Sequence, residues 1–368
     1  MSKLLTILSL EDNLDNKSYQ FYKDTHSVLP SRPMVAPIDR TKTFQSPINF
    51  KVPDRLVLSR DMLRHDLSYR DCCLDKAKTI LDIQDRIQKP IVIHWSGGID
   101  STAIICSFII LLGINETSKR IEIASSTHGI YEYPLFFKKF ILPNFTINPS
   151  SHGSKYLPPD YITVDGDPNG PICGAEAIFV WSKVLGIDML KKPITCENLK
   201  LLMPGLSTNQ LQAYCDLTVR SAKSVDIELS NLSEWYWWYN LNFRYQWFCY
   251  KNVLGLKSYR PDLTIDQEFW DDHSVCFFDS SPFQAWSVNY KEKVLEDLIK
   301  GKWKDAPKQL IFEVTKDSNY LTHKLKINSA KHRFFEKMLY GIDDGFQPII
   351  KEDFSKYIVE NNSYQEWI

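Results

Sequence analysis

The stretch Ile91-Val92-Ile93-His94-Trp95-Ser96-Gly97-Gly98-Ile99-Asp100-Ser101 decides the fold. Ile91 to Ile93 read as a short buried strand, Ala103 to Leu112 as a buried helix, and two glycines sit in the turn between them. A strand that turns through glycines into a helix aims unpaired N–H groups and the positive end of the helix dipole at one point, where an anion belongs. Gly97 and Gly98 can take the positive φ values that let successive N–H groups converge, and they leave room for a phosphate. Ser96 and Ser101 add hydroxyl donors, so residues 96–101 read as a phosphate-binding loop. Asp100 would repel a bare phosphate, which predicts a magnesium ion between carboxylate and polyphosphate.

Upstream, apolar residues from Leu63 to Ile87 recur at helical spacings until Lys89-Pro90, predicting one or two amphipathic helices over 61–88. The first sixty residues are too rich in proline for a long helix and read as an extended arm or small lid. Downstream, Arg120 to Ala124 read as a second strand, Glu132-Tyr133-Pro134 as a helix start, and Tyr161 to Val164 as a third strand. Strand and helix in alternation predict an α/β fold with a parallel sheet flanked by helices. The third strand leads into Asp165-Gly166-Asp167-Pro168-Asn169-Gly170-Pro171-Ile172-Cys173-Gly174, a loop expected to face residues 96–101 across the carboxyl ends of the strands. Beyond about residue 190 the chain reads as helical; Trp235 to Tyr239, with Phe243, Trp247 and Phe248, suit a packed core better than a nucleobase platform.

Lysine plus arginine (44) nearly balances aspartate plus glutamate (45), which argues against nucleic acid or an anionic membrane as the main partner. The apolar run Ala103 to Leu112 is too short to span a bilayer, and the amino-terminal residues lack a cleavage-site pattern. The eight cysteines show no C-x-x-C pair, which predicts free thiols in a reduced, cytoplasmic protein. His94 reads as a hydrogen-bonded core histidine on the first strand.

Without the lysine of the common nucleotide loop, residues 96–101 resemble the PP-loop of the ATP pyrophosphatase superfamily, the adenine nucleotide α-hydrolase-like fold. With Gly166 to Gly174, the chain looks like the synthetase domain of the asparagine synthetase family, in patches over roughly residues 88 to 330. The resemblance implies domains at 1–85 (arm and helical segment, too short for a glutaminase), 86–345 (the PP-loop domain, with a helical C-terminal part) and 346–368 (a tail). It implies ATP and Mg2+ as cofactors, with Ser96, Gly97, Gly98, Asp100 and Ser101 on the phosphates and Ser125 and Ser126 near the adenine. Asp100 and Asp165 would hold the metal, because Gly170 stands where the family carries its second metal-binding aspartate. Asp167 takes the place of the family's acidic residue that handles or orients substrate. Ser274 to Phe283 is similar to a segment ending in a Pro-Phe-Leu-Asp turn. His323 to Ser329 resembles the segment whose lysine stabilises departing pyrophosphate, which points to Lys324 and Lys326.

The activity implied is adenylation of a carboxylate and its capture as an amide by ammonia or an amine, drawn from a separate amidotransferase or from the substrate itself. Two rivals stand beside it. A PP-loop enzyme modifying a nucleobase or tRNA is disfavoured by the neutral charge and the missing C-x-x-C pairs. A catalytically silent scaffold or nucleotide-binding partner protein is motivated by Gly170.

Overall fold

The computed structural model describes residues 38–322 except 44–51, 53, 65, 126, 150–159, 175–177, 179–180, 183–184, 204–206, 247, 250–267 and 301. Helix α1 (Tyr69–Ile87) opens with Ser68 accepting the Asp71 N–H on its side chain, and ends with Gln88 in the left-handed conformation ahead of Pro90. Its buried face, Cys72, Cys73, Lys76, Ala77, Ile80 and Leu81, follows the expected three-to-four residue spacing.

Strand β1 (Ile91–Trp95) is buried on both faces, as a central parallel strand must be, which is why its sequence is apolar without alternation. Helix α2 (Ile99–Leu112) begins four residues earlier than the apolar run and, apart from half-buried Asp100, is buried from Ile99 to Phe108. Helix α3 (Ile114–Arg120) leads into β2 (Ile121–Ser125), and a short helix α4 (Thr127–Glu132) follows. Pro134 opens the next helical turn, where its missing N–H costs nothing. Strands β3 (Ile147–Pro149) and β4 (Ile162–Asp165) come next, then helix α5 (Asn169–Ile172).

The described residues beyond 207 are mainly helical: α6 (Thr208–Lys223), α7 (Leu232–Tyr239), then β5 (Ser274–Cys276), α8 (Ser281–Asn289), α9 (Lys291–Ile299), α10 (Asp305–Thr315) and α11 (Ser318–Thr322). Trp235 to Tyr239 are all buried, and the Trp237 and Trp238 indoles donate to Ser287 and Ser221, so this aromatic run is core.

The five strands among the described residues are all parallel, in the order β3-β2-β1-β4-β5. This is a doubly wound α/β sheet whose connections reverse direction between β1 and β4, the position where such sheets take ligands at their carboxyl ends. Strands β3 and β5 were not foreseen, because three-residue strands leave too little pattern to read. Residues ahead of β1 belong to the same core: Ile38, Leu56 and Leu58 pack into it. Buried Arg40 donates to the carbonyls of Leu56 and Leu241 and to the Gln284 side chain. No described helix is by itself long and apolar enough to cross a membrane.

Candidate functional site

The loop from Ser96 to Ser101 leaves the carboxyl end of β1 as expected and hands over to α2 at Gly98. Gly97 has φ +71°, and a Cβ there would stand 2.2 Å from the Gly129 carbonyl oxygen, so only glycine fits. Gly98 has an ordinary φ of −72°; the requirement for glycine lies at the first position alone. The Ser101 hydroxyl accepts the Ser96 N–H (3.1 Å) and lies 3.2 Å from the Ser96 hydroxyl, bracing the turn. The two serines therefore shape the loop.

Asp100, in the first turn of α2, is the centre of a polar cluster. Lys304, the residue capping the start of α10, places its ammonium 2.6 Å and 2.5 Å from the two Asp100 oxygens. The Lys304 side chain is 7% exposed and that of Asp100 28%, so the ammonium is buried while the carboxylate is partly open to solvent. From the other side the Asn169 amide donates to Asp100 Oδ1 at 2.7 Å. The Asn169 carbonyl accepts from Tyr69 OH at 3.0 Å and from the Cys173 thiol at 3.3 Å, which fixes the orientation of the amide. Burial pushes the Tyr69 hydroxyl far above its ordinary pKa and the Cys173 thiol up to about 12, so both stay protonated near neutrality and neither is a ready nucleophile.

The second loop meets the first as the sequence predicted. A Cβ on Gly166 would stand 3.0 Å from Asp100 Cβ, so the loop after β4 lies directly against the start of α2. Asp165, at the end of β4, is buried; one oxygen accepts the Asp167 N–H (3.2 Å) and the other lies 3.7 Å from the Cys276 thiol on β5. Asp167 is half-buried on the same turn. A Cβ on Gly170 would meet nothing within 4 Å, so an aspartate there would fit and is simply not encoded.

Ser125, expected near the adenine, is buried, and its hydroxyl donates to the Trp95 carbonyl (3.1 Å), joining the ends of β2 and β1. Ser126, Lys324 and Lys326 lie outside the described residues. His94 departs from expectation: its buried Nε2 has no hydrogen-bond partner among the described residues, and burial lowers its pKa to about 4.

Comparison with protein-family models, with curated proteins and with solved structures finds no match for this chain. The reading of the site therefore rests on its geometry.

Sequence reasoning missed Lys304, Asn169 and Glu132. Asn169 lay inside the quoted loop, but nothing in its spacing tied it to Asp100, and Lys304 is 204 residues from its partner. Glu132 flanks the glycine turn, with Oε1 3.9 Å from where a Cβ of Gly98 would stand. Beside Lys304 opens a cavity of about 340 Å³ lined by Tyr69, Cys173, Trp286, Tyr290 and Gln309, with Lys293, Lys302, Asp297 and Asp305 also on its wall.

A second cluster, Cys249, Cys276 and Asp279, brings two thiols and a carboxylate within 4.8 Å of one another. Asp279 is already held by Lys76 (2.7 Å) and Arg55 (3.4 Å), and the Cys276 thiol donates to the Cys249 carbonyl (3.0 Å). These contacts make it a satisfied polar core. All eight thiols are free.

A glycine turn opens onto the start of α2 beside the Lys304 ammonium, a setting in which helix starts hold phosphates, although the Ser96 and Gly98 N–H groups are bonded to the Ser101 and Ser96 hydroxyls. The site does not suit the divalent ion expected from Asp100 and Asp165. Both Asp100 oxygens are bonded to Lys304, Asp165 is engaged toward β5, and Gly170 supplies no carboxylate.

Proposed function

We propose that this chain is an ATP-dependent ligase of the asparagine synthetase type, on a PP-loop fold, that adenylates a carboxylate and passes the acyl group to ammonia or an amine. The observation that carries the reading is the meeting of two loops at the reversal point of the sheet: residues 96–101 after β1, and 166–174 after β4, with Gly166 against Asp100.

In this reading the triphosphate lies along Ser96, Gly97, Gly98 and Ser101 at the start of α2. The substrate carboxylate attacks the α phosphorus and pyrophosphate leaves; the amine then attacks the acyl carbon and AMP leaves. The chain contributes positioning and charge rather than covalent chemistry. Lys304 is the described cation nearest the loop carboxylate and would follow the negative charge as it moves to pyrophosphate. Lys324 and Lys326 are proposed for the same charge, Asp167 for orienting the substrate, and Ser125 and Ser126 for the adenine side. The cavity beside Lys304, lined by Trp286 and Tyr290 with both basic and acidic side chains, is proposed to take the substrate.

The test is calorimetric titration with ATP, followed by an assay for AMP and pyrophosphate with pooled amino acids and ammonia. Binding by the wild-type chain, lost in Gly98→Glu, together with AMP formation, supports the ligase. A wild-type chain that binds no ATP rules it out. A nucleotide-binding partner protein without catalysis is the second reading, favoured by the Lys304–Asp100 pair and Gly170; it predicts ATP binding without AMP formation.

A further inference from the structure

Asp100 is the carboxylate that the loop sequence assigns to a metal, yet its ligand positions are taken by the protein. An ammonium bonded to both oxygens occupies the positions through which a carboxylate would chelate a divalent ion, and Asn169 takes a third contact. A metal entering here would have to displace Lys304 while leaving that buried ammonium beside it. Two cations sharing one carboxylate in a largely buried site repel each other, and the displaced ammonium would lose its bond to Asp100. Lys304 is held for this role: its backbone is left-handed at φ 56°, its head lies 4.9 Å from the Trp303 ring centroid, and α10 packs on α2. A non-glycine residue in that conformation carries a local cost that the surrounding contacts must offset.

We infer that Lys304 is the resident counter-ion of Asp100 and that the site takes the phosphates of a nucleotide without a divalent cation, Lys304 passing from the carboxylate to the phosphates on binding. The inference rests on the nucleotide reading above and deepens it. Lys304 neutralises the loop acid that would repel a bare polyphosphate, and its flexible four-carbon stem lets the charge move without rebuilding the loop. Gly170 agrees with this chemistry: there is space for a second carboxylate, and the chain does not supply one.

The experiment is ATP titration into the full chain by calorimetry, once in EDTA and once in excess magnesium chloride, for wild type, Lys304→Met and Asp100→Asn. The wild-type affinity is expected to agree between the two media within about threefold. Lys304→Met should lose about tenfold or more in EDTA. Asp100→Asn, which removes the carboxylate charge that competes for the ammonium, should tighten binding in EDTA by about threefold. Thermal melting of each variant checks folding; if Lys304→Met does not fold, Asp100→Asn decides alone, because a metal-dependent loop loses ATP when its aspartate goes. Wild-type binding that collapses in EDTA, or Asp100→Asn that no longer binds, overturns the counter-ion role and leaves the nucleotide reading standing. Absence of ATP binding in both media overturns both.

Discussion

Lys304 and Asp100, 204 residues apart, form a chelated ion pair in which one ammonium is shared by both carboxylate oxygens at 2.6 Å and 2.5 Å. The pair ties the start of α10 to the first turn of α2, the helix proposed above to receive the phosphates. Removing one partner of such a largely buried pair is costlier than never having had the pair.

The glycine turn gives a contrast within two adjacent positions. Gly97→Ala should destabilise the fold by about 3 kcal/mol and abolish ATP binding, because the residue combines positive φ with a Cβ position 2.2 Å from the Gly129 carbonyl oxygen. Gly98→Ala, at ordinary φ and with its nearest contact the Ser96 hydroxyl at 3.0 Å, should cost less than about 1 kcal/mol. Chemical denaturation of the two variants side by side checks the asymmetry; equal losses would contradict it.

Gly170→Asp should be accepted with a stability change within about 0.5 kcal/mol, since its side chain enters open space. By adding a second carboxylate on the Asn169 side of Asp100, it should weaken ATP binding in EDTA and make it respond to magnesium. Calorimetry in the two media reads this directly, and a variant as indifferent to magnesium as wild type would show that Gly170 does not face the phosphates.

Glu132 beside the glycine turn opposes a bare phosphate. Glu132→Gln is expected to raise ATP affinity in EDTA by about threefold, the effect of one screened like charge. A loss confined to magnesium-containing buffer would instead mark Glu132 as a metal ligand.

His94 makes stability depend on pH. Its pKa is about 4 in the folded chain against 6.5 ordinarily, so the imidazole is neutral when folded and takes up a proton on unfolding in mildly acid solution. Its contribution is fully present above pH 6.5 and is lost as pH falls from there toward about 4. His94→Gln should remove about one proton's worth of slope across that window in denaturation measured at several pH values. Parallel curves for wild type and variant would refute the assignment.

Arg40 joins the segment before α1 to the helical half of the core. Arg40→Met strips the partners from two carbonyls and the Gln284 amide, and should cost about 3 kcal/mol. A melting temperature unchanged from wild type would show that these groups find other partners.

Residues 91 to 112 carried most of what could be read in advance. An apolar run, two glycines, a serine pair and a second apolar run are local information, and local geometry dictates a strand, a turn with converging N–H groups and a buried helix. The α/β class followed because β2 and β4 repeat the signal at spacings that only parallel crossover can accommodate. Strands β3 and β5 escaped notice because three residues cannot establish a period, and their pairing is set by neighbours already in place. The character of the site was decided by tertiary structure alone. Asp100 in sequence is a carboxylate waiting for a cation; which cation it meets depends on α10 folding back across α2 to deliver Lys304, and on β4 delivering Asn169. Contacts between residues this distant depend on how the helices pack, and packing depends on the whole core rather than on any segment of the chain.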